Sequence, residues 1–419
     1  MKLTILTQYY PPEIGAPQNR LSNLASHFVA SGHEFTVLTA MPNYPAGKIQ
    51  QGYGGLLRQE LRDGVQVIRT WIYPSQSAAL LPRLLSYFSF VLSSALLGSF
   101  LLSTSDYLLV ESPPLFLGLS AIWLSWLKRA KLIFNVSDLW PASAVHVGVI
   151  RPHSFAHRLG AYLESYCYRH SWIVTGQSRS ILHDIEARFP GQPTFLLSNG
   201  VDTNKFRPKN RTDEWRARLT SNGEFVVLYA GLHGLAQGLE QIIDAAHELR
   251  SEPGYRFVFV GDGPQKRQLI CKANHLCLEN VTFLNPVTVD QMPGLLVAAD
   301  VIVVPLGMDI PGAVPSKLYE AMATGRPLVL VAWGEAADIV HQFSAGITVA
   351  PGGIHSLALA FQKIRGNPEL ARKVGDSARA AAVRHFDRGS IAAPFVCYLE
   401  SQANAEGDRE EPVHVNADL

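Results

Sequence analysis

Three side chains of complementary chemistry fall close together in one stretch of this chain: the Ser316 hydroxyl, the Lys317 ammonium and the Glu320 carboxylate. If the stretch is helical, Glu320 lies one turn beyond Ser316 and Lys317 on the same face. A carboxylate accepts hydrogen bonds from two neighbouring hydroxyls, as on a ribose, and a lysine supplies positive charge. The free N–H groups and dipole of a helix N-terminus attract an anion. Together these are the needs of a nucleoside diphosphate. The same residues would also make an ordinary capped connecting helix with a surface Glu and Lys, and the local pattern alone leaves both readings open. Asp138 directly follows a strand pattern, which puts it where open α/β sheets place ligands, unless it only caps the turn before Pro141. A third candidate group is Gly15, Asn19 and Arg20. Gly15 would let backbone approach a ligand and the other two open a helix, although no full G-x-G-x-x-G is present.

The element that positions the first group is a helix over 316–324 between two buried strands. Asp300-Val301-Ile302-Val303-Val304 and Pro327-Leu328-Val329-Leu330-Val331 are too short for ordinary helices and rich in branched residues, which predicts buried parallel strands. Ser316 is predicted at the N-cap, Gly325 just past the C-terminus, and Pro327 bars continuation. Near the start, strands at 3–7 and 34–39 flank a helix carrying Leu21, Leu24, Ala25, Phe28 and Val29 at helical spacing, a right-handed crossover unit. Further strands are predicted at 65–71, 107–110, 131–135, 172–175 and 194–197. A second series follows at 225–229, 257–260, 281–284, 301–304, 328–331 and 347–349. Two successive αβ series predict two doubly wound domains, residues 1–198 and 199–378, with a cleft between them. Glycine-bearing turns at 230–234 and 261–264 lie at strand ends. Residues 402–419 carry five acids and almost no apolar side chains, which predicts a disordered tail.

The 419 residues are 47% hydrophobic and 17% charged, enough for two to three full cores and too apolar for disorder. A net charge of +1 gives no electrostatic footprint for a nucleic acid. Cys167, Cys271, Cys277 and Cys397 lack metal-ligand spacing and read as reduced thiols of a cytoplasmic protein. The N-terminus runs straight into a strand pattern without the features of a signal peptide.

Residues 84–102 are uncharged and about long enough to span a bilayer, and 115–127 are apolar with Trp123 and Trp126. Five serines dilute the first segment, and strands of one sheet are predicted on both sides of it. The alternatives are a core helix, a helix whose face rests on a membrane, and a span.

With both halves read, the chain resembles retaining glycosyltransferases of family 4, which have the GT-B architecture of two facing Rossmann-like domains. The likeness rests on Tyr9-Tyr10-Pro11-Pro12 with Gly15 and Arg20, on Asp138-Leu139-Trp140-Pro141, and on Ser198-Asn199-Gly200-Val201-Asp202 with Phe206 and Pro208. It rests also on Gly261-Asp262-Gly263-Pro264 and on Pro315-Ser316-Lys317-Leu318-Tyr319-Glu320. Within that family the chain is most similar to N-acetyl-L-fucosamine and colanic-acid-type transferases of bacterial surface polysaccharide synthesis. The resemblance implies a nucleotide-sugar donor, a UDP-N-acetyl amino sugar above all, and a lipid-linked acceptor met at the inner face of the cytoplasmic membrane, with no metal and no nucleic acid. It implies that Gly15 and Asn19 approach the donor from the first domain. On the second domain, Ser316, Lys317 and Leu318 would hold the diphosphate, Glu320 the ribose and Val287 the base, beside Gly231, His233, Gln237, Gly263 and Pro264. Asp138 would orient or deprotonate the acceptor hydroxyl, and a last helix over about 379–400 would cross back onto the first domain. Three departures stand out. The family's first Glu, eight positions before the second, is Gly312 here, with Asp309 nearby but unmatched. The Arg and Lys of the first loop of the second domain are replaced in His233-Gly234-Leu235-Ala236-Gln237-Gly238, and the His before Asp138 is absent. Lys317 and Arg20, from opposite domains, are then the cations expected at the leaving diphosphate. A UDP-sugar 2-epimerase and a non-catalytic transferase subunit are the alternative readings.

Overall fold

The computed structural model describes residues 1–75, 80–209 and 212–410. The predicted strands form two separate sheets. The first contains β1 (Lys2–Thr7), β2 (Glu34–Ala40), β3 (Leu57–Arg62), β4 (Val65–Thr70), β5 (Tyr107–Ser112), β6 (Lys131–Val136), β7 (Ile173–Gly176) and β8 (Thr194–Leu196). Its order is β3-β4-β2-β1-β5-β6-β7-β8. The second contains β9 (Phe225–Ala230), β10 (Tyr255–Val260), β11 (Val281–Leu284), β12 (Val301–Pro305), β13 (Leu328–Val331) and β14 (Ile347–Val349), in the order β11-β10-β9-β12-β13-β14. Every pairing in the second sheet is parallel. In both sheets the strand order reverses beside the first strand, β1 against β5 and β9 against β12. At such a switch point the crossover helices leave to opposite faces and a crevice opens above the strand ends.

Central strands are buried on both sides, as the branched apolar runs predict: every residue of β5, β12 and β13 is buried. One strand was not legible. β3 pairs antiparallel with β4 at the sheet edge, and its sequence Leu-Arg-Gln-Glu-Leu-Arg is almost wholly exposed. Charges on an edge strand hinder pairing with other chains, and they also erase the apolar pattern by which a strand is recognised.

The chain crosses between the domains twice, and the crossings are tied together. The Val201 N–H donates to the Phe386 carbonyl at 2.8 Å, and the Arg388 N–H donates to the Val201 carbonyl at 3.0 Å. The predicted helix over 379–400 is in fact two. Pro368–His385 stays on the second domain, with Ala378, Ala381 and Ala382 in its core, and Arg388–Glu410 crosses back. Asp387 makes the break, accepting from Thr203 Oγ1 at 2.6 Å and from the Gly389 N–H at 2.9 Å. The returning helix buries Ala392, Phe395, Val396 and Leu399 against the first sheet, and the Tyr107 hydroxyl donates to the Leu399 carbonyl at 2.8 Å. It continues to Glu410, so residues 402–410 are helical where disorder was expected, because Gln, Ala and Glu propagate a helix already anchored by its first turns. Residues 411–419 lie outside the described residues.

The apolar segment near residue 84 forms the helix Leu80–Leu101 on the first domain. Phe90, Val91 and Ser94 are buried, and a Cβ on Gly98 would lie 2.8 Å from Leu38 Cδ2, so one face packs directly on the sheet. A helix in that position is a layer of the domain and not a span. Its opposite face keeps Leu81, Leu85, Phe88, Leu92, Leu96 and Phe100 exposed, and Trp123 and Trp126 continue the patch from the neighbouring helix Leu117–Lys128.

Candidate active site at the carboxyl edges of the two sheets

The helix Ser316–Thr324 starts above the carboxyl end of β12. Pro315, and not Ser316, occupies the N-cap; its ring fixes φ at −62°, and its carbonyl accepts from the Leu318 N–H at 2.9 Å. No side chain caps this end, so the amides of the first turn remain available to an anion. Gly325 closes the helix at φ +68° as predicted. The Leu318 side chain points into the core, so only its backbone belongs to the site.

Lys317 folds back across the loop after β9. A Cβ on Gly231 would lie 1.9 Å from Lys317 Cε, so only glycine leaves the ammonium its path. Lys317 Nζ stands 6.0 Å from the centre of the Tyr229 ring, and burial lowers its pKa against the pull of Glu320. One turn on, burial raises the Glu320 pKa, opposed by Lys317, Arg388 and Lys205. Neither Arg388 nor Lys205 was visible as a charge acting on Glu320 in the sequence, because both lie on the crossing segments, where Lys205 pairs with Asp290 at 2.7 Å.

The loops after β9 and β10 are joined backbone to backbone. The His233 N–H donates to the Asp262 carbonyl at 2.8 Å, and a Cβ on Gly263 would stand 2.5 Å from the His233 carbonyl oxygen. Gly263 is thus required by loop packing, whatever its other face meets. The His233 side chain is fully buried among Tyr229, Phe259 and Phe283. Burial, then Lys266, pushes its pKa down to about 4, so it is neutral near pH 7 and supplies no charge to a leaving group. The Gln237 Oε1 is buried beside Gly234. Pro264 is exposed at the loop tip, and Val287 packs partly against the core.

On the first domain, Gly15 precedes the helix Ala16–Ala30 with φ 178°, extended backbone open to any residue, and Asn19 lines a pocket of about 360 Å³ with Tyr10, Glu13 and Val289. Arg20 differs from expectation. It is buried, and its Nη2 donates to Glu111 Oε1 at 2.5 Å and to Ser137 Oγ at 3.0 Å. Asn135 Nδ2 donates to the other Glu111 oxygen at 2.5 Å, and Thr175 Oγ1 donates to Asn135 Oδ1 at 2.7 Å. The charge of Arg20 is therefore already matched, and Arg20 is neither a surface residue nor a free cation. Glu111 was missed in the sequence; its signal is a lone carboxylate closing an apolar strand, followed by Pro113 and Pro114. Asp138 sits just beyond β6, accepting from Ser143 Oγ at 2.9 Å, and burial raises its pKa. The hydrogen bond fits the turn-capping alternative, and the raised pKa favours a group that takes up a proton.

Three contacts close the cleft. Glu335, on the second domain, accepts from the backbone N–H groups of Arg179 and Ser180 at 2.8 and 2.7 Å, at the start of the helix Arg179–Arg188. Ser178 Oγ donates to the Gly312 carbonyl at 2.7 Å. Gly312 has φ +73°, and a Cβ there would lie 2.5 Å from Ile181 Cγ1. Where the family carries its first Glu, this chain has packed a glycine against the opposite domain.

Two family models match, one after the other: the glycosyl transferase 4-like domain over residues 15–200 and glycosyl transferases group 1 over residues 211–381. The chain belongs to this family of glycosyltransferases, with the GT-B fold. It is 26% identical over 408 residues to the Escherichia coli K12 protein assigned to colanic acid biosynthesis as glycosyl transferase WcaI, covering 94% of this chain and 99% of that one. Sucrose-phosphate synthase from Thermosynechococcus elongatus superposes with a TM-score of 0.74 at 19% identity, over 97% of this chain and 100% of that one. Anabaena HepE in complex with UDP-glucose gives 0.72 at 19% identity, over 96% and 100%.

Proposed function

We propose that this glycosyltransferase moves a sugar from a UDP-sugar, an N-acetyl amino sugar by preference, to a lipid-linked acceptor in bacterial surface polysaccharide synthesis, with retention at the anomeric carbon. The observation that carries the reading is the uncapped N-terminus of the Ser316 helix with Lys317 threaded over Gly231 and Glu320 half-buried one turn on. UDP is favoured because a neighbour of the same fold is described in complex with UDP-glucose. The surface polysaccharide is favoured by the name of the colanic acid relative. Retention follows from the family resemblance.

Cleavage of the glycosyl–phosphate bond develops negative charge on the departing diphosphate. Lys317 and the first-turn amides act there without a metal, since preorganised donors stabilise charge where it forms. Glu320 accepts from both ribose hydroxyls. Asp138, just beyond β6 at the other sheet edge, takes the proton of the acceptor hydroxyl as the new bond forms.

The exposed stripe from Leu81 to Phe100 with Trp123 and Trp126 supports docking on the inner face of the cytoplasmic membrane. Residues 80–105 and 113–131 contain no acidic side chain, and Arg83 and Arg129 are exposed beside the stripe, a composition suited to anionic headgroups. A mass-spectrometric screen of UDP-sugars against lipid-diphosphate acceptors tests the reaction. Transfer of one sugar supports it; epimerisation of the donor, or no donor turnover with any acceptor, overturns it. Flotation with anionic liposomes tests the surface, and a protein that stays at the bottom of the gradient returns the stripe to bare exposed surface.

A further inference from the structure

The second sheet ends at β11, an edge strand paired in parallel with β10. The last rung of that ladder joins Val260 to Leu284. Beyond it the strands lead into two segments of the candidate site. After β10 comes the loop 261–264, which is joined to the loop after β9. After β11 come Asn285, Pro286 and Val287, which make no hydrogen bond among the described residues. Asn285 and Pro286 are exposed and Val287 is half-buried. The N–H groups of Asn285 and Val287 and the carbonyls of all three residues therefore stay open to a ligand.

Open backbone selects a ligand only if its place is fixed, and Lys266 fixes it. This residue starts the helix Lys266–His275, and its Nζ donates to the Gly261 carbonyl at 2.8 Å and to the Leu284 carbonyl at 3.2 Å. The Gly261 N–H donates to the same Leu284 carbonyl at 3.3 Å. The ammonium thus adds a rung beyond the last backbone pair, at the point where the two segments part. The Lys266 N–H donates to the Gly263 carbonyl at 3.1 Å, which ties the helix start to the loop as well. A lysine suits this task, since its ammonium carries several donors on one compact centre and no acceptor. The far end of the open segment is held by the Lys205–Asp290 pair at 2.7 Å, where Asp290 is almost fully exposed. Such surface pairs hold loosely, so the near end carries the anchorage.

We propose that Lys266 is a positioning residue for the nucleobase, setting the open backbone of 285–287 at a fixed distance from the loop 261–264. The proposal rests on the nucleotide-site reading given above and adds a specificity device to it. Uracil presents N3–H as a donor between two carbonyl acceptors. Cytosine presents N3 as an acceptor beside an amino donor. Fixed backbone N–H and C=O groups match one of these patterns and are left unpaired against the other, which is how a polar site rejects an analogue. Releasing the segment removes the choice between the bases. It leaves the first-turn amides of the Ser316 helix and Lys317 in place for the diphosphate.

The test is calorimetric binding of UDP, CDP and inorganic diphosphate to the full-length protein, wild type and Lys266→Met. Methionine keeps most of the side chain's length and removes its donors. UDP binding is expected to weaken about tenfold, the scale of a hydrogen bond left unmade, so that UDP and CDP come to bind alike. Inorganic diphosphate is expected to hold within about twofold, because a half-exposed charge is screened by salt. Unchanged UDP affinity overturns the proposal, as does wild-type protein that binds UDP and CDP alike. An equal loss of UDP and inorganic diphosphate also overturns it, since Lys266 would then be a phosphate cation or a general support of the fold. Glu320→Ala run in parallel separates the two levels. If it binds UDP as wild type does, the nucleotide-site reading itself fails; if it weakens UDP while Lys266→Met keeps the preference for UDP over CDP, only this inference fails. Should Lys266→Met not fold, a crystal structure of the wild-type protein with UDP decides. Uracil bonded to the backbone of 285–287 while Lys266 keeps both carbonyls supports the proposal. A Lys266 side chain turned onto the phosphates, or a base seated elsewhere, overturns it.

Discussion

The carboxyl edges of the two sheets carry similar residues in opposite states. At the first, Arg20, Glu111, Asn135, Ser137 and Thr175 are joined in one hydrogen-bond network, and the cation is matched by a carboxylate at 2.5 Å. At the second, the charges of Lys317 and Arg388 act on one carboxylate, Glu320, beside an uncapped helix N-terminus, while Lys205 is held by Asp290 at 2.7 Å. A matched charge contributes to the fold and is not available to a substrate, whereas an excess of positive charge around free amides is what a diphosphate requires. This difference divides Arg20 from Lys317, which the sequence presents as equivalent cations from facing domains. Under the proposed function, structure falls to the first and leaving-group chemistry to the second.

The sharpest way to break the comparison is to remove a partner from the matched edge. Glu111→Ala leaves the Arg20 guanidinium buried without its counter-charge, which costs about 3–5 kcal/mol in such pairs. A large fall in the thermal unfolding midpoint is expected, and a variant as stable as wild type would mean that the network is not structural. Next in size is Lys317→Ala. Its single-turnover rate at saturating donor should fall by about 100-fold, comparable to loss of one oxyanion-hole donor, while its unfolding midpoint holds, because removing a desolvated ammonium relieves a burial penalty. A loss below about threefold, under 1 kcal/mol of barrier, would contradict the assignment. The smallest effect is expected at the cleft clasp. Glu335→Ala frees two amides at a helix start, a change worth about 0.5–2 kcal/mol for caps of this kind. Fluorescence transfer between labels on the two domains should then shift toward an open form, and an unmoved distance distribution would show that Glu335 does not govern closure.

Much of this was legible in the chain. The strands of both switch points could be read because Leu108 to Val110 and Val301 to Val304 are apolar on both faces, and the Ser316 helix because Gly325 and Pro327 stop it. Local chemistry failed where partners are distant. Arg20 and Glu111 are 91 positions apart, and nothing in either neighbourhood announces the pair. Arg388 carries no signal of its own in the sequence, because it follows the break at Asp387, which a continuous helical pattern conceals. Gly312 read as a departure from the family's first Glu, while the packing against Ile181 and the φ of +73° show what the glycine does in its place.

The central claim is that the edge of the second sheet is the nucleotide site and that Glu320 is its ribose acceptor. Calorimetric titration of UDP into full-length Glu320→Ala, with folding verified by an unchanged unfolding midpoint, tests it most directly. The account predicts affinity weaker by about 1–3 kcal/mol, the scale of hydrogen bonds to a charged group. Wild-type affinity in a folded variant would contradict it and return the Ser316 helix to a well-packed connection between two strands.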